Sequence, residues 1–183
     1  MKNSLLLFCD AEWVEARKGA IPISFALVPA GIDPFYCEIA EPKRLKLASD
    51  FVQEMVIAQF GSWPQTVACS TEAAAASAMV AYLIELLDAQ GASGLVLAAD
   101  FDEDIELLRS VLSSDPGWEQ IRGRVEFSNI AAEVFGEGSD DAWDRAYDEA
   151  EKRVKLFRHH ALVDAIALQI VAGELSSAPP AGD

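Results

Sequence analysis

The sequence feature that most constrains the fold is a short apolar run, Leu5–Cys9, which is followed by two acids, Asp10 and Glu12. An apolar run of this length is typical of a buried strand. Because strand side chains alternate between faces, Asp10 and Glu12 point to the same side. Two carboxylates at the end of a core strand repel each other and are costly to desolvate unless a cation, such as a hard divalent metal ion, lies between them. The alternative is that both acids lie in water at the end of the strand.

Length and composition predict one folded domain. The chain has 183 residues, of which 51% are hydrophobic, and this is enough for a sizeable core. We expect residues 1–175 to form a single domain and residues 176–183 to be a disordered tail. The apolar runs are too short to cross a bilayer and no secretory signal is recognisable, so we expect no membrane partner. Three cysteines in apolar stretches, without a CxxC pattern, are typical of reduced core residues in a cytoplasmic protein.

The formal net charge of -16 restricts the partners that the chain can bind. A broad, sequence-independent grip on duplex nucleic acid needs a basic surface, so this function is excluded. A single nucleotide end held through metal ions is not excluded, because bound cations reverse the local electrostatics.

The order of the predicted elements indicates an α/β fold. Three β-rich runs come first, at Leu5–Cys9, Ala20–Pro29 and Phe35–Ile39, and their short connections predict an antiparallel meander. Gly94–Asp100 is a further buried strand, preceded by one helical pattern and followed by another at Asp102–Ser113. A strand between two helices implies a parallel component, so we predict a mixed sheet flanked by helices.

Two further helical segments are predicted between the meander and the Gly94 strand. Thr71 followed by the acidic Glu72 is typical of a helix N-terminus, and that helix should end at Gly91. Helical spacing over Ala48–Phe60 predicts another helix. Its expected buried side chains are Leu47, Phe51, Met55 and Ile57.

A second acidic stretch follows the Gly94 strand. Asp100 ends the strand, and Asp102 and Asp104 lie where the next helix opens. Carboxylates at the C-terminal edge of a sheet are well placed for a functional site. The alternative is ordinary stabilisation of a helix N-terminus by acidic residues.

The third candidate stretch contains the only two histidines of the chain, His159 and His160, followed by Asp164. On one continuous helix His159 and Asp164 would point roughly 140° apart. They converge only if His159 lies at or before the helix start and Asp164 lies about one turn inside. Asp164 enters an otherwise apolar helix, and a carboxylate in that setting needs a partner.

Together these stretches resemble the DEDD-type 3′–5′ exonucleases that carry a histidine in the last motif. The matching residues are Asp10 and Glu12 in CDAEW, Asp104 in DEDIELL, and His159 and Asp164 in HHALVDA. The last segment is the most specific, since the family often has His-x-Ala-Leu-x-Asp-Ala there. The resemblance extends from Leu5 to about Ala172 and implies a ribonuclease H-like fold.

The resemblance implies hydrolysis of phosphodiester bonds at the 3′ ends of single-stranded RNA or DNA, with two divalent ions, Mg²⁺ or Mn²⁺. The implied metal ligands are Asp10, Glu12, Asp104 and Asp164. His159 is the implied general base, a role that suits an imidazole. The compact chain looks more like stand-alone bacterial exoribonucleases than like proofreading subunits, which favours RNA over DNA. Such relatives are often homodimers, so the resemblance also implies a homodimer.

The middle motif leaves a choice among three neighbouring acids. In the family the catalytic Asp is followed four residues later by Leu. Asp104 with Leu108 fits this pattern, whereas Asp102 has Glu106 at that position. We therefore expect Asp104 to be the metal ligand. We expect Asp100 to contact the ligands and not the metal.

Several roles stay open at this point. Trp13 either stacks on the terminal base of a substrate or packs as a core or rim aromatic. His160 is expected to be exposed or to lie behind the ligands. Arg153, Lys155 and Arg158 either contact the substrate backbone or form a solvated helix face. Two alternative functions are a non-catalytic nucleic-acid or partner-binding module on the same fold, and a ribonuclease H-like endonuclease.

Overall fold

A six-stranded mixed sheet lies between two layers of helices in the computed structural model, which describes residues 3–16, 19–136 and 139–177. The strands are β1 (Ser4–Ala16), β2 (Gly19–Pro29), β3 (Phe35–Ile39), β4 (Val67–Cys69), β5 (Gly94–Ala99) and β6 (Val125–Asn129). Their order in the sheet is β4-β3-β2-β1-β5-β6. The first three strands form an antiparallel meander, and the pairs β3–β4, β1–β5 and β5–β6 are parallel. The predicted mixed α/β sheet is therefore confirmed.

Helices connect and cover the strands. They are α1 (Pro42–Leu45), α2 (Glu72–Ala89), α3 (Asp102–Ser113), α4 (Trp118–Ile121), α5 (Ala131–Val134), α6 (Ser139–Val154) and α7 (Ala161–Ser177). A π-helical turn at Val52–Val56, with 3₁₀ turns at Ile57–Gln59 and Arg122–Arg124, completes the regular structure. None of the helices in the described ranges is long and apolar enough to cross a membrane.

The alternation of side chains along β1 divides the core into two parts. Leu7 and Cys9 face one side of the sheet and pack with apolar residues of α2 and α3. Phe8 faces the other side and packs with residues of α6 and α7. Asp10 and Glu12 continue the Phe8 side, so they face the layer that contains α7.

The strand β1 is longer than its parallel neighbour, and this difference opens the site. Pairing between β1 and β5 stops at Phe8 and Ala98, whereas pairing with β2 continues to Ala16 and Gly19. Pairing with β2 therefore carries β1 past Asp10 and Glu12 as one arm of a hairpin, and both acids lie on the strand as predicted. Beyond Phe8 one edge of β1 has no partner strand, and the acids of β1 lie there.

The predicted core side of the segment around residues 48–60 was wrong for three of its four residues, and only Ile57 packs against the core. Leu47, Phe51 and Met55 are 51%, 54% and 39% exposed. The physical reason is that the segment forms a π-helical and a 3₁₀ turn instead of an α-helix, which changes the positions that face inward. Val56 is the buried residue, and it packs against the β1–β2 hairpin.

Two other expectations concern the cysteines and the C-terminus. Cys9, Cys37 and Cys69 are buried and free, as the sequence predicts. Helix α7 includes Ser176 and Ser177, with which the predicted tail begins. The rest of that tail, residues 178–183, lies outside the described residues.

The start of α2 allows a test of one local prediction. The Thr71 hydroxyl accepts a hydrogen bond from the Ala74 backbone N–H, as expected for an N-cap. Replacing Thr71 with Ala leaves that N–H without its acceptor and should lower the free energy of unfolding by about 1 kcal/mol. Chemical denaturation measures this difference. Thr71→Ser keeps the hydroxyl and should be close to wild type, and equal losses in both variants would contradict the capping role.

Candidate metal centre

The first group of candidate ligands joins β1 to α7. Asp10, Glu12 and Asp164 each offer a carboxylate oxygen, and these oxygens lie within 4.8 Å of one another. Asp10 and Glu12 do point to one side, as their spacing predicts. The structure therefore brings together acids that are about 150 positions apart in the chain.

The start of α7 explains how Asp164 reaches this group. The helix begins at Ala161, so His159 lies before it and Asp164 lies one turn inside. His159 has a left-handed backbone, with a φ of 63°, which turns the chain sharply into the helix. This is the arrangement that the sequence required if His159 and Asp164 were to converge.

A second group of carboxylates joins β1 to the β5–α3 junction. Asp10, Asp100 and Asp104 also place carboxylate oxygens within 4.8 Å of one another. The Asp104 carboxylate is 3% exposed and accepts a hydrogen bond from the Ala11 backbone N–H, at 3.2 Å. Asp102 is exposed and accepts a hydrogen bond from the Asn129 side chain, at 2.7 Å. The structure thus places Asp104 in the group and Asp102 outside it. Asp100 is itself one of the three carboxylates in this group, whereas the sequence suggested that it only contacts the ligands.

The electrostatics of the centre follow from burial and from repulsion between like charges. Burial raises the pKa of Asp10 and of Glu12 well above its usual range, and the neighbouring carboxylates raise it further. Burial, with a contribution from Asp100, raises the pKa of Asp104 to about 8. Burial raises the pKa of Asp164 to about 7, and the backbone N–H of His159 opposes this rise. Each carboxylate is therefore harder to ionise without a cation nearby.

The donor set fits a hard divalent cation. All five side chains offer carboxylate oxygens, the donors that Mg²⁺ and Mn²⁺ prefer. The Asp164 Oδ1 atom is buried and has no hydrogen-bond partner among the described residues. Arg158 is the cation that lowers the pKa of Asp164, but its guanidinium hydrogen bonds to Asp144 and lies over the Tyr147 ring. An unpaired buried oxygen within a set of repelling carboxylates is what a metal ligand needs.

The two histidines have opposite environments. His159 is exposed, and its ring makes an edge contact with Phe51 at 5.0 Å between centroids. Within the described residues its imidazole hydrogen bonds to no side chain, so the ring nitrogens are free to meet a substrate or water.

His160 is 1% exposed, so of the two expected positions the exposed one was wrong. Its Nδ1 accepts a hydrogen bond from the Leu162 backbone N–H, at 3.3 Å, and its ring packs on Tyr36 at 4.4 Å. His160 therefore acts as the N-cap of α7 and fixes the helix start that positions His159 and Asp164. Burial lowers the pKa of His160 to about 4, so its imidazole is neutral at physiological pH.

A glutamine clamp holds the loop before α7. The Gln59 side chain accepts a hydrogen bond from the Phe157 backbone N–H, at 2.8 Å, and donates one to the Arg158 carbonyl oxygen, at 3.3 Å. The loop that carries His159 is thereby tied to the segment that carries Phe51.

Next to the carboxylates lies a surface groove of about 560 Å³. Its lining residues are Glu12, Trp13, Glu15, Leu47, Ser49, Phe51 and Val52. Trp13 is half-buried in this lining, and its ring stacks on Phe101 at 6.5 Å between centroids. Phe51 was missed as a site residue because its helical spacing suggested the core. Phe51 lines the groove and contacts the His159 ring, so its exposed side chain is placed to meet a bound molecule.

The basic candidates differ in how far they are engaged. Arg158 forms ion pairs with Asp144 and Glu151, at 3.1 and 4.0 Å. Arg153 lines a separate groove on α6. Neither of them contacts the carboxylates of the centre in the described part of the chain.

Comparison with known proteins adds no identification. No protein-family model and no curated protein matches this chain.

The raised pKa values predict how the metal-free protein responds to pH. Asp104 has a folded pKa of about 8, above the value of an unfolded Asp, so its contribution to stability is complete at low pH. That contribution is lost as the pH rises through about 8. In EDTA, the unfolding midpoint of Asp104→Asn should therefore rise relative to wild type by about 10 °C between about pH 5 and pH 8.

Thermal unfolding followed by circular dichroism measures this difference. With saturating Mn²⁺ at about pH 8, the wild type should gain the larger stabilisation, because it keeps the full set of ligands. An Asp104→Asn midpoint that tracks wild type at every pH, with and without metal, would contradict the electrostatic account of the centre.

Proposed function

We propose that this protein is a metal-dependent 3′–5′ exonuclease on a ribonuclease H-like fold. Its substrates would be the 3′ ends of single-stranded nucleic acid, with RNA favoured over DNA. The observation that carries the proposal is the pair of carboxylate groups that share Asp10, with His159 at the start of the helix that supplies Asp164. The resemblance of the three motifs to DEDD-type exonucleases supports it as well.

Two positions for divalent ions follow from the two carboxylate groups. Asp10, Glu12 and Asp164 would hold one ion, and Asp10, Asp100 and Asp104 would hold the other. When bound, such ions lower the pKa of a coordinated water and stabilise the charge that develops on the leaving oxygen. Five ionised carboxylates would be nearly balanced by two divalent cations, so an anionic substrate would meet a site of small net charge.

His159 is suited to remove a proton from the attacking water. Its ring is exposed and free of side-chain hydrogen bonds in the described residues, and its backbone N–H is tied to Asp164. The left-handed turn, the His160 cap and the Gln59 clamp fix the position of His159 at the edge of the centre. An imidazole there accepts the proton at a ring nitrogen as the water attacks the phosphorus.

The groove beside Glu12 is suited to hold the terminal nucleotide. Trp13 and Phe51 offer aromatic surfaces on which a base can stack, and a stacking contact of this kind is worth roughly 1–3 kcal/mol for any base. Phe51 also contacts the His159 ring, so a nucleotide in the groove would lie beside the proposed general base.

The direct experiment uses 5′-labelled single-stranded RNA and DNA of the same sequence, incubated with the purified protein in Mn²⁺ or in EDTA. A ladder of products that shorten from the 3′ end, seen only with metal, would support the proposal. The faster substrate would identify the preferred nucleic acid. Internal cleavage products would indicate an endonuclease, and no cleavage with either substrate would count against the proposal.

Substitution of the shared ligand tests the metal assignment. Asp10→Asn and Asp164→Asn should each lower kcat by about 1,000-fold or more, corresponding to about 4 kcal/mol, because each removes a charge from the metal positions. Asp102→Asn is the matched control, since Asp102 is exposed and lies outside both carboxylate groups. Near-wild-type turnover of Asp10→Asn in Mn²⁺ would disprove the assignment.

Substitution of His159 separates catalysis from binding. His159→Ala should lower kcat about 100-fold while KM changes little, because a general base acts on the chemical step. Steady-state kinetics with a short labelled oligonucleotide, over a range of pH, measures both constants. A loss confined to KM would instead assign His159 a role in substrate binding.

A further inference from the structure

Three buried polar atoms on the α7 side of the sheet have no hydrogen-bond partner in the described ranges, in addition to Asp164 Oδ1. They are Ser24 Oγ, the Tyr36 hydroxyl oxygen and His160 Nε2. Ser24 is 0% exposed and Tyr36 is 1% exposed, so solvent at the surface does not reach either hydroxyl. A buried hydroxyl without a partner destabilises a protein, so each one in a native structure needs a physical reason.

The strand register places Ser24 beside a carboxylate of the metal centre. Ser24 on β2 lies directly opposite Glu12 on β1, and on its other side it lies directly opposite Glu38 on β3. Residues that are directly opposite each other in an antiparallel pair share one face of the sheet, with Cβ atoms about 4.5–5.5 Å apart. The Ser24 hydroxyl therefore lies between two carboxylates, of which Glu12 belongs to the centre.

The second carboxylate beside Ser24 is already engaged. Both oxygens of Glu38 accept a hydrogen bond from the Gly61 backbone N–H, at 2.8 and 3.0 Å. The Tyr36 hydroxyl lies close to Ser24 and to Glu38, but it makes no hydrogen bond of good geometry with either. Glu12 is therefore the acceptor that remains for Ser24, and the Ser24 oxygen is an acceptor that remains for Tyr36.

We propose that Ser24 is a positioning residue for Glu12. In the metal-bound protein the Ser24 hydroxyl donates a hydrogen bond to the Glu12 carboxylate and accepts one from the Tyr36 hydroxyl. This inference rests on the proposed function, because Glu12 must be a metal ligand. A ligating carboxylate keeps lone pairs for a donor, and such a donor fixes the orientation of the ligand. Tyr36 also packs on His160, so the two hydroxyls connect Glu12 to the cap of α7.

The proposal predicts opposite effects of Ser24→Ala on stability and on metal binding. In EDTA the variant loses only an unpaired hydroxyl, so its thermal unfolding midpoint should equal that of wild type or exceed it. In Mn²⁺ it should weaken the metal position that includes Glu12 about tenfold, because the partners of a ligand tune metal affinity. The position formed by Asp10, Asp100 and Asp104 should keep its affinity. Electron paramagnetic resonance of free Mn²⁺ measures both affinities without any turnover.

Two further variants test the connection and the specificity of the effect. Tyr36→Phe keeps the ring and removes the hydroxyl, so it should weaken the same metal position by a smaller factor. Its combination with Ser24→Ala should be no weaker than Ser24→Ala alone, because both hydroxyls act through one contact. Ser114→Ala is the matched control, since the Ser114 hydroxyl donates to the Val111 carbonyl oxygen at 2.7 Å, at the end of α3. This control should lower the midpoint by about 3 °C and leave both Mn²⁺ affinities unchanged.

The possible outcomes separate this inference from the proposed function. Equal Mn²⁺ affinities in Ser24→Ala and in wild type would overturn the positioning role. A lower midpoint in EDTA together with weaker binding at both metal positions would assign Ser24 a structural role and overturn it as well. Mn²⁺ binding that depends on Ser24, without hydrolysis of the labelled oligonucleotides, would leave the inference standing and overturn the exonuclease proposal instead. A wild-type protein that binds no Mn²⁺ would overturn both.

Discussion

Repulsion among five carboxylates is the constraint on which this structure depends. The acids come from β1, from the β5–α3 junction and from α7, and each element must hold its side chain against the charge of the others. The packing supplies this rigidity. Leu7 and Phe8 fix β1 from both faces of the sheet, and Leu162 and Val163, next to Asp164, are fully buried. A loosely packed scaffold would let the carboxylates swing apart into water and would lose the centre.

Hydrogen bonds to the backbone complete this arrangement. The Ala11 N–H lies where β5 no longer pairs with β1, and it donates to the Asp104 carboxylate instead. His160 satisfies the first N–H groups of α7 while it packs on Tyr36. The polar groups that the fold would otherwise leave unpaired therefore orient the site residues. The Gln59 side chain likewise hydrogen bonds to the backbone of the loop that carries His159, and this ties the loop to the segment that lines the groove.

Sequence reasoning reached the parts of the site that follow from periodicity. The period of two along a strand places Asp10 and Glu12 on one face. The five-residue spacing from His159 to Asp164 requires α7 to start between them if the two side chains are to converge. The sequence could not distinguish the environments of His159 and His160, because the left-handed backbone of His159 sends adjacent side chains in different directions. Phe51 was assigned to the core since a π-helical turn has no distinct sequence pattern. Asp100 joined the centre only through the tertiary packing of β5 against β1.

The unequal lengths of β1 and β5 have a consequence for the behaviour of the protein in solution. Beyond Phe8 the edge of β1 has no partner strand, and unpaired strand edges are a common route to aggregation. Glu12 and Glu15 lie along this edge, and any second copy that approached it would bring the same charges. The Ala11 N–H on this edge is already bonded to Asp104, so an acid of the centre also occupies a backbone group that a strand of another chain would need.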